Sequence, residues 1–384
     1  MKVLHLSSSY PYTDLYKNLL QELDNKNIEQ IMYVSIKNNA LKNKRIIENS
    51  KRTNYIFSAT YNNLDRYIYY SKISKVYKDL KSRIDFTEID LVHTHFLFSD
   101  GSIAYKIKKE FGIDYIVAVR NADVNFFFKY GIHIRNYGIK TLREAKKIIF
   151  LSPAYKEKVI TKYIPNNLKE EIESKSYIVP NGIDKFWLDN ININKSNKTD
   201  FKQINLISVG ELNKNKNIIN SIKAVVHLNE KGYKVNFNIV GKGPLENEIN
   251  ELIISTKNEG QIKLLGYVED KKELLKLYRD ADIFLMPSYY ETFGLVYIEA
   301  MSQGLPVIYS QGQGIDGYFN NGEVGYSVPS NDPLKIAESL ENIIKNYNRI
   351  YIEAISKAEH FNWENIADEY IELYKNSLNM KRKQ

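Results

Sequence analysis

The sequence predicts two doubly wound α/β domains, each a parallel sheet covered by helices on both faces. Three observations carry that expectation. Strand-like apolar runs alternate with helical patterns along the chain. A polar stretch without apolar period, Asp189 to Lys202, divides it near the middle. And 384 residues exceed what one ordinary core holds.

The first strand is Val3-Leu4-His5-Leu6; the loop Ser7 to Pro11 follows, then a helix carrying Leu15, Leu19, Leu20 and Leu23. Further strands are expected at Ile31–Ser35, Ile89–His93, Tyr115–Val119 and Lys147–Leu151, and another ends in the turn Pro180-Asn181-Gly182. A second series starts at Ile204–Gly210 and continues through Val235–Val240, Ile262–Leu265, Ile283–Met286 and Pro306–Tyr309. The resulting division is a first domain over 1–185, a linker over 186–203 and a second domain over 204–360. A closing helix over 361–384 follows the complete second domain and could pack on either one. In sheets of this kind a ligand sits at the carboxyl ends of the strands, here in the cleft facing both domains.

Composition narrows the function classes. The chain is 43% apolar and 26% charged, ordinary for a globular protein, and has no cysteine. Disulfides, thiolate metal sites and a cysteine nucleophile are therefore excluded. No run approaches the ~20 apolar residues of a membrane span, and the N-terminus turns polar at once, so a cytoplasmic protein is expected. Charge is uneven: residues 1–180 hold 30 Lys+Arg and 19 Asp+Glu, whereas residues 181–384 hold 24 and 27. A net +11 beside a net −3 points to an anionic partner for the first half only. No nucleic-acid motif is present, which favours an anionic membrane surface or a lipid-phosphate acceptor. From Arg66 to Ile84 the apolar residues Tyr69, Ile73, Val76, Tyr77, Leu80 and Ile84 recur at helical spacing among Lys72, Lys75, Lys78, Lys81 and Arg83. That pattern fits a basic helix on a membrane or, equally plainly, a covering helix with a lysine-rich wet face.

The stretch 282–308, DIFLMPSYYETFGLVYIEAMSQGLPVI, carries the most chemistry. A strand ends at Pro287-Ser288, and a helix begins near Thr292-Phe293-Gly294-Leu295. Unpaired N–H groups at a helix start suit a phosphate, and Gly294 lets it come close. Glu291 and Glu299 stand eight residues apart, placed to address one ligand from different heights. This stretch closely resembles the paired-glutamate signature of the retaining GT-B glycosyltransferases of family 4. The resemblance implies that Glu291 contacts the donor sugar and Glu299 the ribose, with the backbone of Phe293, Gly294 and Leu295, next to Ser288, holding the diphosphate.

The likeness extends along the chain. Gly210-Glu211-Leu212-Asn213-Lys214-Asn215-Lys216 resembles the family's glycine–loop–lysine segment, implying that Lys216 stabilises the leaving diphosphate without a metal, with Lys214 in reserve. Glu211 stands where the family usually has arginine. Gly241-Lys242-Gly243-Pro244 resembles its glycine–proline turn, and Tyr267-Val268 its nucleobase-reading segment. In the first half, His93 and His95 match the strand that ends on the acceptor side. Arg120 falls at the place of a family histidine and Asp123 at that of its aspartate, both implied at the reacting centre.

The implied activity is metal-independent transfer of a sugar, with retention, from a nucleotide-diphosphate-sugar to a glycan or lipid-linked acceptor. No cofactor, no metal and no nucleic acid are expected; no His/carboxylate cluster is evident in the sequence. Two alternatives stay open: a GT-B subunit that binds nucleotide-sugar without turnover, motivated by Glu211 and Arg120, and a nucleotide-sugar epimerase of the same fold. A Rossmann oxidoreductase lacks support, because no Gly-x-Gly-x-x-Gly follows the first strand.

Overall fold

The computed structural model describes residues 1–62, 65, 68–193, 195, 197, 198 and 200–379. Seven strands form the first sheet: β1 (Lys2–Leu6), β2 (Glu29–Ile36), β3 (Thr53–Ala59), β4 (Leu91–Thr94), β5 (Tyr115–Val119), β6 (Lys147–Phe150) and β7 (Ser176–Ile178). Six form the second: β8 (Ile204–Val209), β9 (Val235–Val240), β10 (Ile262–Gly266), β11 (Ile283–Leu285), β12 (Val307–Ser310) and β13 (Gly325–Val328). The orders are β3-β2-β1-β4-β5-β6-β7 and β10-β9-β8-β11-β12-β13, with every pairing parallel. Both sheets are doubly wound, as the sequence predicts. Each reverses its strand order at one place, β1/β4 and β8/β11, where such sheets bind ligands. The edge strands β3 and β13 lie outside the sequence-derived set; half-exposed edge strands lack the apolar run that marks buried ones.

The chain divides into two compact units. The first comprises Met1–Leu151, Lys156–Asn181 and Trp363–Gln384; the second comprises Ser152–Tyr155 and Gly182–Asn362. In the first, the helix Trp363–Asn379 lays Trp363, Ile366, Tyr370 and Tyr374 into one core with Val3, Leu19, Leu91, Ile116 and Ile149. In the second, β8 to β12 bury Leu206, Phe237, Ile283 and Ile308 against Ile222, Val225, Ile336 and Ile350.

The expected linker over 186–203 is corrected, for its described residues lie within the second unit. Asp184 caps the short helix Lys185–Asp189 by accepting from the Phe186 amide at 2.8 Å, and Trp187 is buried with its ring 5.4 Å from that of Tyr278. One aromatic anchor replaces the missing apolar period. Positions 194, 196 and 199 of that stretch lie outside the described residues.

The basic stretch from Arg66 to Ile84 is also clarified. Arg66 lies outside the described residues; the helix spans Tyr69–Lys81. Ile73, Val76 and Leu80 are buried, so its apolar stripe is core and is not offered to lipid. Its outer face is partly paired, Lys75 with Asp65 at 2.6 Å, Lys81 with Glu110, and Asp79 with Arg83 at 2.9 Å. Among the described residues, no helix is long and apolar enough to cross a membrane.

Candidate functional site

In the second unit the loops leaving β8, β9 and β10 press together so closely that side chains are forbidden. A Cβ on Gly241 (φ +147°) would lie 1.8 Å from the Gly210 carbonyl oxygen, and one on Gly243 would lie 2.5 Å from that of Leu212. Their close approach shapes a pocket of about 300 Å³ lined by Val209, Gly210, Glu211, Val240, Gly241, Lys242, Tyr267 and Val268. Pro244, exposed, turns the chain away into the next helix. Glu211 is exposed and accepts from the Asn213 amide at 2.8 Å.

Beside this pocket, the turn Lys214–Lys216 is fixed by the Asn213 side chain, which accepts from the Lys216 amide at 3.2 Å. Lys216 then reaches Glu291, Nζ to Oε2 at 2.6 Å, its stem running past Gly210. Glu291 itself is tightly lodged. Its carbonyl accepts from Gly314 at 2.8 Å, its amide donates to Gln313 Oε1 at 3.3 Å, and Oε1 accepts from the Thr292 amide at 3.2 Å. Gly294 (φ +83°) and Gly314 (φ +56°) flank it, and a Cβ on either would come within 3.2 Å of Glu291 Cγ. The helix Leu295–Ser302 starts directly after Gly294. Phe293 turns its ring inward against Tyr318 and Phe361, leaving only its backbone for a ligand, and Ser288 is fully buried behind.

Three features of this arrangement escaped the sequence reading. Asn215 ties the lysine turn to the glutamate loop, donating to the Tyr290 carbonyl at 2.7 Å, and Asn217 donates to that of Pro287 at 2.9 Å. Lys214 does not stand in for Lys216; it lines a different groove with Asn217, Asn220, Lys223, Glu248 and Tyr289. Glu299 has other neighbours than Glu291. It accepts from the Trp187 indole, and burial, with Asp184 adding to it against Lys271, pushes its carboxyl up to about 7.

In the first unit the equivalent strand ends hold a buried polar cluster. Strand register sets His5 opposite His93, and all three histidines, with His95, are fully buried. His93 Nδ1 meets the Tyr374 hydroxyl at 2.8 Å, and His5 Nδ1 meets His95 Nε2 at 3.3 Å. His93 and His95, expected on the acceptor side, are both core residues. Burial holds all three neutral, His5 pushed down to about 3 and the others well below their usual range. The grouping brings three ring nitrogens within 4.8 Å of one another, which the sequence did not foretell because His5 lies far from the pair in the chain. Yet His5 Nδ1 and His95 Nε2 are already directed at each other at 3.3 Å, and His93 Nδ1 is taken by Tyr374. Nearby Arg120 adds positive charge. The geometry fits packing better than chelation.

Asp123, expected at the reacting centre, is bound to backbone instead of standing free. It is fully buried, and its carboxylate accepts from the amides of Leu97, Phe98 and Arg120 at 3.0, 3.0 and 2.9 Å. Burial raises it to about 6 in spite of those bonds. It thereby fixes the backbone that carries Arg120, whose Nη1 donates to Asn181 Oδ1 at 3.2 Å.

Residues 189–361 match the model of the family described as glycosyl transferases group 1. An uncharacterized glycosyltransferase of Methanocaldococcus jannaschii is 27% identical over 350 residues, 90% of this chain and 89% of that one. The capsular polysaccharide biosynthesis glycosyltransferase CapM of Staphylococcus aureus is 32% identical over 215 residues, 53% of each chain. Among solved structures, Anabaena HepE in complex with UDP superposes with a TM-score of 0.69 at 15% identity, over 98% of this chain and 100% of that one. The two parallel-sheet units are thus of the GT-B class. Through residues 189–361, under half of its length, the chain is similar to the glycosyl transferases group 1.

Proposed function

We propose that the chain moves a hexosyl group, with retention, from a nucleoside-diphosphate sugar to a glycan or lipid-linked acceptor, without a metal. One observation carries the reading: the Lys216–Glu291 pair at 2.6 Å, beside a glycine-shaped pocket and a helix start. The pocket suits a nucleoside, with Tyr267 and Val268 at the base. A diphosphate placed toward Gly294 and Leu295 meets unpaired amides and draws Lys216 away from Glu291. That exchange places a cation on the leaving group and frees a carboxylate to orient a sugar hydroxyl. Glu299 holds the ribose. The part CapM plays in capsular polysaccharide biosynthesis and the UDP bound by HepE support this direction. The acceptor meets the first unit, whose basic surface suits an anionic membrane.

The test is turnover. Purified chain is incubated with UDP- and GDP-sugars in EDTA, and released nucleotide and product anomer are followed by NMR. Transfer with retention under chelation supports the reading. Nucleotide-sugar binding without turnover supports the binding-subunit alternative, and a changed sugar without acceptor supports the epimerase. Activity that vanishes in EDTA and returns with Mg²⁺ overturns the metal-free leaving group.

A further inference from the structure

Arg120 sits where the first sheet ends and is 7% exposed. A guanidinium stays charged inside a protein, and burying one without a counter-charge costs several kcal/mol in general. Its neighbours do not supply that counter-charge by contact. Among the described residues, no carboxylate lies within salt-bridge distance of it. Nη1 donates to the neutral amide of Asn181, the Tyr370 hydroxyl lies against the group, and Nε is buried with no partner. The nearest acid, Asp123, has its oxygens engaged by three backbone amides. Asp100, which interacts with Asp123, is buried and raised to about 7, so at neutral pH it carries only part of a charge. His93 and His95, on the other side, are neutral. The surroundings are thus built to hold a fork of donors still, by the backbone clamp of Asp123 and the Asn181 amide; Asp123 attracts the charge through space, but no carboxylate meets the fork by contact.

We propose that Arg120 is the seat of an anionic substituent, carboxylate or phosphate, on one of the two substrates. The planar fork matches either group with paired hydrogen bonds. The two sources are a uronate on the donor sugar and a phosphate on the acceptor. This rests on the glycosyltransferase reading above and narrows its substrate class.

The experiment uses the full chain and two pairs of probes. On the donor side, calorimetry compares UDP-glucose with UDP-glucuronate, with UDP alone as reference. On the acceptor side, saturation-transfer NMR with UDP bound compares glucose with glucose 6-phosphate. One pair should show preference for the anionic member by about ten- to a hundred-fold, the range for a charged hydrogen bond. That pair identifies the source. Arg120→Gln should erase the preference while UDP affinity stays unchanged, and Arg120→Lys should keep part of it. No preference in either pair overturns the proposal, and the wild-type measurement reads this even if the variants do not fold. A preference that survives Arg120→Gln overturns it as well. Failure to bind any uridine or guanosine diphosphate would instead strike the donor site of the second unit, which separates the two failures.

Discussion

The strand ends of the second unit and those of the first occupy equivalent places in two sheets of the same winding, yet they are made differently. In the second, glycines at positive φ bring backbone loops into contact, and the charged groups Lys216 and Glu291 answer each other at the edge of a pocket. In the first, side chains fill the same place: three neutral histidines, a saturated aspartate and an arginine that no carboxylate contacts, all buried. A site built from backbone is sensitive to the reacting group placed on it. A site built from packed side chains couples its function to its stability.

The sharpest way to break that comparison is Lys216→Ala. Removing a preorganised charge from a leaving group should lower kcat by about 10²–10³, with the melting temperature barely changed. Single-turnover kinetics beside a melting curve would measure both, and unimpaired turnover would remove Lys216 from the chemistry. The mirror experiment is Asp123→Ala, which strands three buried amides and should cost about 3 kcal/mol or more. Here the melting temperature should fall while UDP affinity, read by calorimetry, is kept. An Asp123→Ala protein of full stability would contradict the clamp.

How much of this was legible follows the same divide. Gly241, Gly243, Gly294 and Glu291 sit in local runs, where steric demand on the backbone leaves a mark within a few residues. The buried cluster leaves none, because His5, Asp100, Arg120 and Tyr374 are brought together from four elements by strand register and helix packing. Lys214 and Lys216 could be told apart only by the turn between them, which aims one at Glu291 and the other at a separate groove. The polar stretch around Trp187 misled because a single buried ring does the work of a period.

A smaller effect separates surface from core on the helix Tyr69–Lys81. Leu80→Ser should destabilise the first unit by about 2–5 kcal/mol, since Leu80 is fully buried. Replacing Lys72 and Lys78 by Glu, which spares the Lys75–Asp65 pair, should weaken pelleting with anionic liposomes by about 1 kcal/mol per charge at low salt. Equal pelleting of the two proteins would end the idea of electrostatic docking.

The smallest effect concerns Glu299. Its carboxyl titrates near 7 in the folded chain and near 4.5 when unfolded, so between those values the folded state holds the extra proton. Stability from this group is present at low pH and is lost as pH rises toward 7. Glu299→Gln should flatten that part of the melting-temperature profile, by a few degrees at most. A profile identical to wild type from pH 4.5 to 8 would show that burial does not hold the acid form.

The helix Trp363–Asn379 gives the first unit a peculiar schedule on the ribosome. The chain leaves that unit at Asn181 and supplies Trp363, Tyr370 and Tyr374 only after the whole second unit has been made. At about 5–20 residues per second, the intervening segment takes roughly ten to forty seconds to emerge. Throughout that time His93 lacks its hydroxyl partner, and the apolar face awaiting Trp363 stays uncovered. The second unit, continuous over Gly182–Asn362 apart from four residues, can close first. Translation thus delivers the second unit before the first is complete, and nascent chains stalled before residue 363 should draw chaperones to the first unit rather than the second.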